Sequence, residues 1–184
     1  MEAGEHVSKQ QRIIMTSQDI NLALKRIALQ VLEKNHDAET IAIVGIHTCG
    51  VFLAKRLCAI LKAHESCEIS YGELDINLYR DDWSLTSQNP VVKTTDIPFD
   101  VDNAQLVLVD DVIFTGRTIR AAMDAIMDYG RPTSIQLAAL VDRGGRELPI
   151  QPDYVGMQAN ILSEERIQVL LEENSDRNEV VVES

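Results

Sequence analysis

Aromatic residues make up only 4% of this 184-residue chain, so aliphatic side chains must fill whatever core it builds. No apolar run approaches the roughly 18–20 residues that a membrane-spanning helix needs, and residues 1–12 lack the apolar stretch of a signal peptide. The expected location is the cytoplasm, with no membrane partner. Positive charge is also short: 17 Lys and Arg stand against 29 Asp and Glu, a net charge of −12. Phosphate contacts from Lys and Arg dominate nucleic-acid affinity, so an acidic chain starts at a disadvantage there unless it carries a local basic patch. A small anionic ligand is no obstacle, because backbone N–H groups hold phosphates without net positive charge. The only cysteines, Cys49, Cys58 and Cys67, match no zinc or CxxC spacing, and an odd count in a chain expected in the cytoplasm argues against a disulfide framework. They are expected to be small, buried or half-buried residues. Neither GxxxxGK[ST] nor GxGxxG occurs, which excludes a P-loop and a Rossmann dinucleotide site.

What is present is a run of short buried strands separated by amphipathic helices. A helix capped by Thr16 or Ser17 carries Ile20, Leu24, Ile27, Ala28, Val31 and Leu32 on one stripe and stops near Asn35. Continuous apolar strands are predicted at 41–46, 106–109 and 135–141, and a period-two strand at 69–80. Further helices are expected from Gly50 and over 118–129, the latter with Ile119, Ala122, Met123, Ile126 and Met127 inward and Gly130 as its stop. Shorter strands follow at 153–156, 167–171 and 179–182. Between them, 80–105 is a long polar stretch of the kind that is either functional or disordered. The domain reading is a frayed segment 1–14, one folded domain 15–175 and an acidic tail 176–184. Buried strands alternating with helices imply a mostly parallel α/β sheet, whose ligands bind at the carboxyl ends of the strands. That rule selects the loops 47–50, 110–118 and 142–147.

The middle loop carries the clearest chemistry. In Val109-Asp110-Asp111-Val112-Ile113-Phe114-Thr115-Gly116-Arg117-Thr118, two carboxylates end a buried strand and a Thr-Gly-x-Thr turn opens a helix. The start of a helix leaves N–H groups unpaired and carries partial positive charge. Gly116 permits close approach of backbone to ligand, and Thr115 and Thr118 add hydroxyls. These features make a cup for a phosphate monoester, with two carboxylates placed to accept hydrogen bonds from vicinal hydroxyls. A ligand of that shape is a ribose 5-phosphate.

The same segment resembles the phosphoribosyl pyrophosphate (PRPP) motif of type I phosphoribosyltransferases. "YRDD" at 79–82, "GRPTSIQLAALVDRG" at 130–144 and "RELPIQPDYVG" at 146–156 extend the resemblance to the PyrR family. The resemblance implies a central, mostly parallel sheet flanked by helices, with a mobile lid loop and a small hood. It also implies uracil phosphoribosyltransferase activity, giving UMP and pyrophosphate from uracil and PRPP, together with UMP-dependent control of pyrimidine operon mRNA by attenuation. Asp110 and Asp111 would hold the ribose hydroxyls, and Phe114, Thr115, Gly116, Arg117 and Thr118 the 5-phosphate. His47, Thr48, Cys49 and Gly50 would receive the pyrophosphate. Arg80 would sit at the base of a lid closing over 81–103, and Val141, Asp142 and Arg143 would help hold the base. Magnesium would ride on PRPP oxygens, with Asp110 and Asp111 acting on it through the substrate. A homodimer or homotetramer is expected.

Two departures from the family pattern bear on function. The pyrophosphate loop of relatives reads Lys-Thr-Arg before glycine, whereas here it reads His47-Thr48-Cys49-Gly50, which predicts a slow transferase. RNA-binding relatives carry basic residues or histidine where Leu22, Leu29, Gly145, Gln151 and Met157 stand here. Lys25, Arg26, Lys34 and Arg146 remain as RNA-contact candidates, and weakened RNA binding is expected. The alternative reading is a catalytically weak nucleotide sensor acting through RNA or a protein partner.

Overall fold

The computed structural model describes residues 11–64, 67–80 and 94–184. Its elements in chain order are β1 (Gln11–Met15), α1 (Ser17–Lys34), β2 (Thr40–Ile46), α2 (Cys49–Lys62), β3 (Glu68–Leu74), β4 (Gln105–Ile113), α3 (Arg117–Met127), β5 (Ser134–Asp142), β6 (Tyr154–Gln158), β7 (Arg166–Leu170) and β8 (Glu179–Glu183). A five-stranded parallel sheet runs in the order β3-β2-β4-β5-β6. Its buried strands divide their side chains by the period of two. Ile41, Ile43, Val107, Val109, Ala138 and Leu140 pack with α1 and α2, while Ala42, Val44, Leu106, Leu108, Leu137 and Ala139 pack with α3. The result is a three-layer α/β/α sandwich in which the loops after β2, β4 and β5 emerge side by side.

The predicted helices hold. Thr16 caps α1 in a reciprocal box with Asp19, and α1 ends at Asn35. The Asn35 amide is buried and donates to Gln136 Oε1 (3.0 Å), which also accepts from the Tyr154 hydroxyl (2.5 Å). This fully paired polar triad fastens the end of α1 to β5 and β6. Met127 departs from its expected place: it is 58% exposed. It lies in the last turn, and Ala121 and Ala125 pack inward instead.

Three boundaries also differ from expectation. The strand predicted to reach residue 80 ends at Leu74, where its sheet partner β2 ends, because Asp75 accepts the Asn77 N–H (2.9 Å) and turns the chain into a 3₁₀ segment, Asn77–Tyr79. The segment expected to fray before residue 15 contains β1, and the acidic tail contains β8, which is the middle strand of a second, antiparallel sheet in the order β1-β8-β7. Val180, Val181 and Val182 of that strand are buried. Chain-end position misled for β1, which exists only through a pairing that spans nearly the whole sequence, whereas the strand expected at 179–182 forms as β8 between β1 and β7. The residues 1–10 lie outside the described part, as do 81–93 of the expected lid. The remainder of that lid is tied down: Glu73 and Asp96 exchange backbone hydrogen bonds (2.7 and 2.9 Å), and the Asp75 N–H donates to the Thr95 hydroxyl (3.0 Å).

Candidate functional site

At the carboxyl end of β4 the chain leaves the sheet, turns at Gly116 and enters α3. Gly116 has φ +92°, a left-handed value that an L side chain adopts at a cost. It stands at the N-cap, so no capping side chain occupies the helix start. The Thr115 hydroxyl does approach the Arg117 N–H (3.3 Å). Above this turn lies a cleft of about 310 Å³ lined by Arg80, Asp110 and residues 112–119. Thus Arg80, Asp110, Phe114, Thr115, Gly116, Arg117 and Thr118 share one concavity, although Arg80 and Asp110 are distant in sequence. Arg80 is steered there by its neighbour Tyr79, whose hydroxyl donates to Asp128 (2.5 Å) and whose carbonyl accepts from Arg120 (3.2 Å).

The two carboxylates are not equivalent. Asp110 is buried; burial foremost, then the Asp111 charge, hold its carboxyl well above the ordinary range, and the Arg80 guanidinium opposes them. A buried carboxyl of this kind is poised to accept a ligand's hydroxyls or cation charge. Asp111 belongs to the alternate register and does not line the cleft; its neighbourhood includes Cys49 at the start of α2.

The loop after β2 approaches β4 closely at Gly50, where any Cβ would lie 2.4 Å from the Val109 carbonyl oxygen. The peptide between His47 and Thr48 is cis. The side chains flanking Thr48 are both engaged outside the cleft. The His47 imidazole lies against the Glu73 carboxylate (Nε2 to Oε2, 3.4 Å), a contact without hydrogen-bond geometry. Glu73 also takes the Lys55 ammonium (2.9 Å) and the Tyr71 hydroxyl (3.0 Å). Burial works against the Glu73 carboxylate, but these donors and His47 hold its pKa below the ordinary value. The Cys49 sulfur faces the Val169 carbonyl (3.8 Å) and accepts from Asn174 (3.6 Å). Burial, then Asp111, push its thiol up to about 11, so it is a poor nucleophile.

The loop after β5 lies directly on the β4 loop. Arg143, Glu147 and Leu148 donate backbone N–H groups to Ile113 and Thr115 (3.0, 3.0 and 3.1 Å). The Arg143 guanidinium stacks 4.0 Å from the Phe114 ring centre and donates to the carbonyls of Ser163 and Glu165 (3.1 and 2.9 Å). Val141 is buried in the strand, and Asp142 pairs with Arg146 (2.8 Å).

The phosphoribosyl transferase domain family matches residues 10–173. A Bifunctional protein PyrR of Syntrophobacter fumaroxidans is 50% identical over 172 residues, which span 94% of this chain and 92% of that protein. Another of the same name, from Bacillus cereus (strain AH820), is 49% identical over 95% of this chain and 98% of its own. The chain belongs to the PyrR family of type I phosphoribosyltransferases. Solved structures agree in fold. A Trypanosoma cruzi hypoxanthine phosphoribosyltransferase has a TM-score of 0.74 at 14% identity, covering 99% of this chain and 95% of its own. A Bacillus anthracis hypoxanthine-guanine phosphoribosyltransferase gives 0.68 at 18% identity, covering 96% and 99%.

Within this PyrR-family chain the four RNA-contact candidates are not one basic patch. Arg146 is withdrawn from solvent: its side chain is 12% exposed, and it donates to the carbonyls of Ile150 (2.8 Å) and Phe114 (2.9 Å) besides pairing with Asp142. Arg26 donates to the Val155 carbonyl (3.2 Å) and to that of Gly156. Lys34 pairs with Asp153 and lies 5.6 Å over the Tyr154 ring centre. These three cations fasten elements of the chain to one another, while Lys25 is exposed beside Leu29. Sequence reasoning missed Glu73, Lys55, Asn174 and Arg56. Arg56 grips Glu173 with two bonds (2.8 and 2.6 Å) and so holds the β7–β8 turn against α2. No local pattern marks these residues, because each acquires its partner only through folding.

Proposed function

We propose that the chain transfers the 5-phosphoribosyl group of PRPP to uracil, giving UMP and pyrophosphate. The observation that carries this reading is the cleft at the start of α3, which joins an uncapped helix terminus, two threonine hydroxyls, Arg80 and the buried Asp110. The 5-phosphate sits on the N–H groups and hydroxyls of 114–118, and Asp110, with Asp111 behind it, takes the ribose hydroxyls. As the bond from ribose C1 to pyrophosphate breaks, positive charge grows on the ring and negative charge on the leaving group. The uracil N1 forms the new bond to C1 as the bond from C1 to the pyrophosphate oxygen breaks, and the N1 proton passes to water or to the departing pyrophosphate. Asp110 lies on the ribose side, where its carboxyl oxygens orient the ring for attack at C1. Phe114, backed by Arg143, offers an apolar ring face beside the base rather than a carboxylate, which suits a pyrimidine.

The residues present fit a hard divalent cation held through the substrate. Asp110 offers carboxyl oxygens to the substrate that would carry the cation, with Asp111 behind it, and no group of three or more His, Cys, Asp or Glu side chains forms a metal cage among the described residues. Magnesium bound with PRPP would neutralise the departing pyrophosphate. The regulatory activity on pyrimidine operon mRNA is weakened, because Arg26, Lys34 and Arg146 are engaged within the chain. Incubation with labelled uracil, PRPP and magnesium tests the reading. UMP formed in step with pyrophosphate, and lost in Asp110→Asn, is the expected result; absence of UMP with active-site titration showing intact protein would sink it.

A further inference from the structure

The two ends of the phosphoribosyl site are unequally equipped. The 5-phosphate end has an uncapped helix terminus, Thr115, Thr118 and Arg80 around one cleft. The leaving-group end has the loop 47–50, and neither side chain flanking Thr48 lines that cleft. His47 is turned to the Glu73 carboxylate at 3.4 Å. Cys49 is turned to Val169 and Asn174 at 3.8 and 3.6 Å. Lys55, the cation nearest this loop in the network, is itself bound to Glu73 at 2.9 Å and lies 5.7 Å over the Tyr71 ring centre. Two carboxylates, Glu73 and Asp111, border the loop. Pyrophosphate brings several negative charges to this place, and among the described residues the loop itself offers them backbone and Thr48, with a substrate-borne metal.

We infer that His47, Cys49 and Glu73 set a ligand preference: the pocket holds a ribonucleoside 5′-monophosphate more tightly than it holds PRPP. The two ligands share the 5-phosphoribosyl end and differ by the pyrophosphate, so the difference falls on the loop 47–50. The inference rests on the reading of 110–118 as a 5-phosphoribosyl site. Its consequence is that nucleotide, whether made in the site or taken from solution, is the resident ligand, and that the pocket reports nucleotide level more faithfully than it turns over PRPP. Glu73 acts as a positioning residue. It draws His47 and Lys55 sideways toward β3, and its backbone pairing with Asp96 fixes it there. The buried His47 Nε2 makes no hydrogen bond and has the Glu73 carboxylate as its neighbour at 3.4 Å.

The test is calorimetric titration of the intact chain, with magnesium, using UMP, PRPP and inorganic pyrophosphate separately. The expected ratio of PRPP Kd to UMP Kd is about ten or more, the worth of one missing charge-assisted hydrogen bond. His47→Lys restores a cation and should lower that ratio roughly tenfold by the same measure. Glu73→Gln, which releases His47 and Lys55, should lower it as well, and should lower the KM for PRPP. If Glu73 and His47 were merely structural, both dissociation constants would rise together and the ratio would stand still, which overturns the inference. A wild-type ratio at or below one overturns it too, while leaving the phosphoribosyl reading intact. No binding of either UMP or PRPP overturns that underlying reading instead.

Discussion

Replacing Arg146 by alanine should destabilise the protein by about 3 kcal/mol, near the low end of what removing one partner of a buried ion pair costs. The figure follows from what the guanidinium does. It pairs with Asp142 at 2.8 Å, both side chains being 12% exposed, and it donates to Ile150 and Phe114 carbonyls at 2.8 and 2.9 Å. Without it, Asp142 keeps only the Gly144 N–H (2.9 Å) among these contacts, which is why the low end applies. Arg146→Lys keeps a charge for Asp142 but not the planar fork that serves several acceptors at once, and should cost about 1–2 kcal/mol. Urea denaturation followed by circular dichroism gives the free energies, and for a chain of this size the alanine loss corresponds to a Tm lower by about 6–12 °C. The same variants distinguish the internal clamp from an RNA contact. A loss under about 0.5 kcal/mol, the usual effect of a surface substitution, accompanied by weaker RNA binding, would refute the clamp.

Asp110→Asn should raise stability near neutral pH while abolishing UMP binding in calorimetry. The carboxyl is held high in the fold by burial and by Asp111, so its favourable contribution exists in acid and is lost as pH rises through the raised value. The amide removes that neutral-pH cost, and the Tm gain should vanish in acid; a lower Tm at neutral pH would contradict it. Gln136→Leu leaves the Tyr154 hydroxyl without its acceptor (2.5 Å) and Asn35 Oδ1 without its donor (2.7 Å), and should cost about 2–6 kcal/mol in urea, since each orphaned group loses roughly 1–3. A loss under about 1 kcal/mol would mean that the triad re-pairs. Gly116→Ala has steric room, its Cβ falling 3.5 Å from Leu148 and Ile150, so the cost of about 1–2 kcal/mol is conformational, from φ +92°. UMP affinity should fall with it, and unchanged affinity would argue against a backbone cradle.

The core and the glycine turn into α3 were legible because their signals are local. Four-residue apolar runs such as Leu106–Val109 read as buried strands whichever neighbours they acquire, and Thr115-Gly116-Arg117-Thr118 announces a tight entry into a helix. The twin aspartates after Val109 were visible as a site for the same reason, since desolvating two carboxylates needs a purpose. Their inequality was not visible: which of them is buried depends on the strand register and on what packs over each face.

Residue types and their spacing along the chain therefore determined the α/β class, the family and the position of the cleft at the start of α3. Tertiary structure alone decided that β1 and β8 pair across the length of the chain, that Arg146 is an internal clamp, and that Glu73 claims His47 and Lys55. Helical and strand periodicity act over a few residues and leave a mark in the sequence. Charge pairing acts between whatever side chains the finished fold sets within a few ångströms, and sequence distance carries no trace of it.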